Sequence, residues 1–482
     1  MRPFVMTIAT VAAIALPASG AFAHGTMPAA LIGVPDPAAN IQTSANVTHL
    51  ERFPEHRGTS GGRLHGDRFY LTDSTGVHVY DVADPTKPTK LGSLLTPQSS
   101  TGVALGQEDP DTNGKILLLD ASNPESPSAG RLQIIDVSDP ANMSVLAEVA
   151  QTAHTWTCIS DCTFAYGRDG EIIDLRDPSN PIMTDVNWRD AVEVGTSQSG
   201  AGYTHDVTEI RTGRAISAGQ NSTLMDTTDP ANPTRLTSLL TDFHTFGYHS
   251  AEWANQGQDE IAIFGTEIAP DTNAAESTAG SDCQDEGSTI ASYGTSQILQ
   301  GESALDGGSR FGTREFELLD TWKVEGRGAF VEGQAPAHVL YCAHWFDLHP
   351  QWSNGGLFAA GYYEWGTRLV EVAPDGTMSE FGWFLPSDGY TSAAYWISRD
   401  VIFVADYVRG LDVIQVDLAA APAPSPEGEV AAGAMDFEDL PAAVPAATVQ
   451  DVPTTPVTGA GMTGLVVGVL GMGWGLRLRR RR

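Results

Sequence analysis

Positive charge is scarce in this chain. Twenty-seven Lys and Arg stand against 60 Asp and Glu, giving a formal net charge of −33 over 482 residues. A surface of that sign repels nucleic acid and anionic membranes and argues against both as partners. Cysteine is scarcer still, at four. Cys158 and Cys162 form a Cys-x-x-x-Cys pair with no second thiol pair nearby, which disfavours a thiolate metal site. No Gly-x-Ser-x-Gly elbow stands in a strand–turn–helix setting. Phosphate-binding loops and dinucleotide fingerprints are absent too. The segment Asp109-Pro110-Asp111-Thr112-Asn113-Gly114 has oxygen donors at alternating positions but no later bidentate Glu, so it reads as a β-turn rather than a calcium loop. Helical periodicity is rare, and long apolar runs are confined to the two ends.

Those ends have their own logic. Residues 1–23 have a basic start at Arg2, an apolar run broken by Pro17, and a small-x-small site at Ala21-Phe22-Ala23, the pattern of a secretory signal. Residues 24–45 read as a flexible segment. Residues 419–458 are rich in Ala, Pro and acid and read as a disordered stalk. Residues 459–476 are uncharged and long enough, at about 1.5 Å per residue, to cross a hydrocarbon core of about 30 Å. Arginines fill 477–482 and predict a cytoplasmic tail. The expected protein is exported, stands on the outer face of a bacterial envelope, and is anchored by its C-terminal helix. Four cysteines in an exported chain predict disulfides, with Cys158–Cys162 and Cys283–Cys342 the pairing that needs least rearrangement.

Between the ends one phrase recurs: an apolar run ending in Asp, two residues, then Asp-Pro. The copies are Val77-His78-Val79-Tyr80-Asp81 before Asp84-Pro85, Leu132-Gln133-Ile134-Ile135-Asp136 before Asp139-Pro140, Glu171-Ile172-Ile173-Asp174 before Asp177-Pro178, and Ser222-Thr223-Leu224-Met225-Asp226 before Asp229-Pro230. The Asp-Pro pairs lie 55 (139−84), 38 (177−139) and 52 (229−177) residues apart. Such spacing suits one small sheet per repeat, as in a propeller blade of roughly 40–50 residues. Each Asp can accept backbone amides two residues on, and Pro fixes the turn. Outer strands are expected at 91–95, 145–149, 182–186 and 236–240. Residues 46–53 resemble an outer strand without a blade and are expected to complete the last one, closing the ring. A seven-bladed all-β propeller over 46–418 follows, with six blades as the alternative. Residues 269–309 are polar and read as a loop inserted in blade five.

The phrase resembles that of the LVIVD-repeat proteins, over roughly residues 46–418. The resemblance implies an extracellular β-propeller and specifies no activity.

Laying the repeats over one another brings histidines to the starts of the inner strands: His65, His154, His205, His249 and His344, with Ser392 in blade seven and no His in blade two. Neutral imidazoles converging on one axis suit a divalent transition metal, Zn, Fe, Cu or Mn. Some unrelated propeller enzymes hold a metal with one His per blade, a likeness of fold alone. Packing among Trp156, Tyr203, Tyr248 and Trp345 as channel aromatics is the plainer alternative. Asp206 and Asp347 are candidates to orient the imidazoles from behind. His349 is expected to point away from His344. The expected function is a surface-anchored module binding a protein or glycan; the alternative is an exported metalloenzyme using the channel histidines.

Overall fold

A computed structural model describes residues 41–420 apart from 57, 97–107, 122–130, 152, 193–203, 220, 241–246, 268–288, 297, 299–315, 325–342 and 364. The expected signal, stalk, membrane helix and Arg tail lie outside the described residues, as do Tyr203, Cys283 and Cys342. Among the described residues no helix is long and apolar enough to cross a membrane.

The chain forms seven antiparallel sheets, each the blade of one propeller. Blades one to four run in chain order over Gly61–Leu95, Asp111–Val149, Trp156–Met183 and Thr204–Leu240. Blade five spans Ser250–Trp322 and blade six Phe346–Pro386. Blade seven takes Thr391–Val416 as three strands and Val47–Phe53 as its fourth. Second and third strands are sandwiched between neighbouring blades, so runs such as Ile116–Asp120 and Val401–Asp406 are buried on both faces. Outer strands such as Thr89–Leu95 are largely exposed. An apolar cluster fills each blade interface, from Tyr70, Val79 and Leu117 between blades one and two round to Phe69, Phe403 and Val413 between seven and one.

The Asp-Pro phrase is a double turn. Asp81, Asp136, Asp174 and Asp226 each accept the amide two residues on, from Ala83, Ser138, Arg176 and Thr228, at 2.9–3.0 Å. The Asp of each Asp-Pro pair repeats the bond to Thr86, Ala141, Ser179 and Ala231 at 3.1–3.2 Å. Both carboxylates act within four residues of themselves, which is why the phrase is so regular.

Closure is as expected: Val47 pairs with Val416 and Phe53 with Leu411. Two expectations need correction. Residues 41–43, assigned to a flexible segment, form a fifth strand on blade six, pairing Ile41 with Pro386 and Thr43 with Phe384. The chain then crosses to blade seven at Ser44 and Asn46, whose Nδ2 donates to the Phe381 carbonyl at 2.8 Å. Ile290–Gly294, inside the presumed loop 269–309, is the third strand of blade five, paired with Ile261–Gly265. Glu317–Trp322 is its outer strand.

Beyond the closing strand, His56 is buried against blade one. Its Nδ1 lies 2.9 Å from Asp73 Oδ2, its Nε2 bonds Tyr80 Oη, and His78 Nε2 reaches the same Asp73 oxygen at 2.8 Å. Burial pushes the Asp73 carboxyl up, but the two imidazole hydrogen bonds outweigh it and hold the group below the usual carboxylate range. His78 Nδ1 bonds Ser93 Oγ at 2.9 Å. All four imidazole nitrogens are thus engaged, and the cluster is a hydrogen-bonded latch between the closing strand and blade one.

Candidate metal centre

Inner strands all begin at one end of the channel, so the residue at or just before each start is carried to the axis. Blade by blade these residues are Ser60, Glu108, His154, His205, His249, His344 and Ser392. Two of them stand at bulges, His205 between Thr204 and Asp206 and Ser392 between Thr391 and Ala393, where the pairing register shifts. A bulge re-aims a side chain that strict alternation would turn aside. The chain crosses closely here: a Cβ on Gly61 would stand 1.7 Å from the Glu108 carbonyl oxygen, so only glycine lets blade one seat the Glu108 backbone.

The four imidazoles form a continuous array. Ring centroids are 5.0 Å apart for His154–His205, 3.6 Å for His205–His249 and 4.6 Å for His249–His344. Two carboxylates face them. Glu108 Oε2 lies 3.3 Å from His154 Nε2 and 3.4 Å from His344 Nε2, and Glu267 Oε2 lies 3.8 Å from His249 Nε2. Three overlapping donor sets result, each mutually within 4.8 Å: Glu108, His154 and His205; Glu108, His249 and His344; His205, His249 and Glu267. Donors about 2.1 Å from a shared ion stand roughly 3.0–3.4 Å apart at octahedral or tetrahedral angles. The spacing here is of that order.

Protonation states fit the same purpose. Burial, then the neighbouring His249, His154 and Arg168, push the His205 imidazole well below its ordinary value, so it presents a lone pair. His344 Nδ1 donates to the Ser392 carbonyl at 2.8 Å, which orients the ring with Nε2 toward Glu108. At 3.4 Å, Nε2 and the Glu108 oxygen are placed to share a proton or a cation. Tyrosines brace the carboxylates from behind: Tyr363 Oη donates to Glu267 Oε1 at 2.7 Å and Tyr407 Oη to Glu108 Oε1 at 2.8 Å. Burial, and then those carboxylates, raise both phenols well above their ordinary value, so they remain donors.

The structure brings His154, His205, His249 and His344 together and puts other predicted residues elsewhere. His65 ends its strand at the opposite side and is exposed. His349 Nε2 engages the Arg399 carbonyl at 2.7 Å, away from His344 as expected. Of the aromatics, Trp345 packs against His249 at 4.8 Å. Trp156 is buried between blades two and three, and Tyr248 between four and five, where its hydroxyl meets Tyr293. Asp206 and Asp347 do not back the imidazoles. Asp206 follows the His205 bulge, Asp347 lies within the strand that His344 precedes, and both carboxylates are engaged elsewhere. Asp347 Oδ2 accepts the Trp396 amide at 2.7 Å, and Asp206 Oδ2 accepts the Thr208 hydroxyl at 3.3 Å.

Glu108 and Glu267 are not among the expected residues, because only histidine recurs visibly in the register of the repeats. Glu108 holds the inner-strand start of the blade without a His. Glu267 lies two residues past its second strand, as Tyr363 does in blade six. Comparing all polar residues at those two positions would have found both.

Further along the channel, Arg63 pairs with Asp111 at 2.8 Å, and Asp109, Asp206, Glu252 and Asp347 gather around that guanidinium. Burial pushes Asp109 and Asp347 up to about 7 and raises Asp206 and Glu252 well above the carboxylate range.

Fold and cluster together define a seven-bladed propeller with an axial His/Glu centre. No known family profile and no curated relative matches the chain. Among solved structures, it is similar to the β-propeller domain of Cps50 (Swd1) of Myceliophteria thermophila, at 11% identity and TM-score 0.47, covering 77% of this chain and 99% of that one. It is also similar to the WD40 β-propeller domain of Doa1, at 8% identity and TM-score 0.43, covering 79% and 98%. Neither likeness bears on chemistry.

Proposed function

We propose that this protein is an exported, metal-dependent propeller that binds a divalent first-row transition ion at the mouth of its channel. The observation that carries this reading is the convergence of four imidazoles from four successive blades, with Glu108 and Glu267, into overlapping donor sets. Mixed nitrogen and oxygen donors of this kind suit Fe, Mn, Zn or Cu. His154, His205, His249 and His344 would hold the ion, with the two carboxylates as further donors or as acceptors for ligand-borne protons. Tyr363 and Tyr407 keep those carboxylates oriented. A bound ion would supply Lewis-acid or redox chemistry, and an oxidation or hydrolysis is the reaction class in view. Export is supported by the bond between Cys158 and Cys162. The repeat phrase supports kinship with the LVIVD-repeat proteins.

The test is elemental analysis of the purified full-length protein beside a His205→Ala, His249→Ala double variant. A near-stoichiometric transition metal in the parent, lost from a folded double variant, is the expected result. A parent that stays folded and metal-free after dialysis against each ion overturns the reading. The second reading, an anchored module for a surface protein or glycan, would then lead.

A further inference from the structure

His154 is the ligand whose backbone is least at ease. Its φ is +67°, in the left-handed region, and it is not glycine. A non-glycine residue there is strained and persists only where its surroundings impose it. The surroundings here are one carboxylate oxygen. Asp120 ends the second strand of blade two and is buried, and its Oδ2 accepts Ala153 N at 2.8 Å, His154 N at 2.9 Å and Trp156 Nε1 at 3.0 Å. Three donors on one oxygen fix the course of the chain across 153–156.

The same turn is tied to the next ligand. Thr155 N bonds back to the Ala153 carbonyl at 2.7 Å, and Thr155 Oγ1 donates to the carbonyl of His205 at 2.7 Å. Asp120 in blade two thus sets the turn before blade three, and that turn grips the backbone of the His205 bulge in blade four. The direction of His154 toward Glu108 depends on this turn.

We propose that Asp120 is a positioning residue of the channel centre: it holds His154 in the left-handed conformation that aims its imidazole at the ion. The inference rests on the metal reading above. Without the carboxylate, His154 relaxes to an ordinary backbone conformation and its imidazole leaves the donor set.

The experiment measures Co²⁺ binding to the full-length protein by titration and by the visible d–d spectrum, for the parent, Asp120→Ala, Asp120→Asn, His154→Ala and the Asp120→Ala, His154→Ala pair. Asp120→Ala is expected to bind about 10–100-fold more weakly, with the spectrum of a site that has lost one nitrogen donor. His154→Ala should match it, and the pair should lose no more than His154→Ala alone, since both changes remove one ligand. Asp120→Asn should recover part of the affinity, because the amide oxygen still accepts these donors. Should Asp120→Ala fail to fold, the cycle is run with Asp120→Asn, which must shift the spectrum only while His154 is present. An Asp120 variant with parental affinity and spectrum overturns this inference and leaves the metal reading standing. A parent that binds no Co²⁺ overturns both.

Discussion

A chain lacking residues 41–53 is expected to lose its cooperative unfolding transition. Those residues supply the fourth strand of blade seven and a fifth strand on blade six. Their removal strips the hydrogen-bonding edge of Leu411–Val416, most of whose side chains are buried. It also removes His49 from Asp412, its neighbour at 2.8 Å, inside the cluster where Arg409 bonds both Asp412 oxygens. Backbone hydrogen bonds are worth about 1 kcal/mol each and a fully buried apolar side chain about 1.5–3 kcal/mol. Over the strand these sum to several kcal/mol, of the order of a domain's whole stability of about 5–15 kcal/mol. The bare edge also invites pairing between chains. Thermal denaturation followed by tryptophan fluorescence, with light scattering for association, measures both effects. A truncated chain that unfolds in one transition within about 3 °C of the parent would show that blade seven closes without its N-terminal strand.

The second large effect is on pH dependence. Asp347 is pushed up to about 7 by burial. A carboxyl raised in the fold keeps its proton while the unfolded chain gives its own up. Its contribution is therefore full below the unfolded value near 4 and is lost as pH rises through about 7. At 1.36 kcal/mol per unit, forcing it to ionise costs up to about 4 kcal/mol at pH 8. Asp347→Asn removes that cost and keeps a carbonyl for the Trp396 amide. The variant should gain several degrees in Tm at pH 8, about a third of that at pH 5, and little at pH 3. His78 and His205 titrate the other way, since their lowered values cost stability as pH falls below about 6.5, so the difference between variant and parent is the quantity to compare. A loss of stability at both pH 5 and pH 8 would mean that Asp347 is ionised throughout and stabilised by Arg63.

The sequence by itself determined the blade and most of the ring. The double Asp turn is made by side chains bonding amides two residues on, so each copy of the phrase carries its own instruction. Alternation and burial did the same for Ile261–Gly265 and Leu411–Val416. The register of His154, His205, His249 and His344 was legible because each stands near the inner-strand start of its repeat, whereas His65 lies at the far end of its strand. Ile290–Gly294 was not legible: it is a short strand behind a long polar run, identified only by the partner that Ile261–Gly265 offers it. The role of Ile41–Thr43 likewise depends on an edge supplied by Met378–Pro386, more than 300 residues away. Tertiary structure alone decided what surrounds the imidazoles. Glu108 and Glu267 reach them because the ring closes, whereas Asp206 and Asp347 bond Thr208 and Trp396 instead. The repeat is held by contacts within a few residues and can be read from the chain. The centre is a meeting of side chains from five blades, and their distances to the axis are set only when the seventh blade is complete.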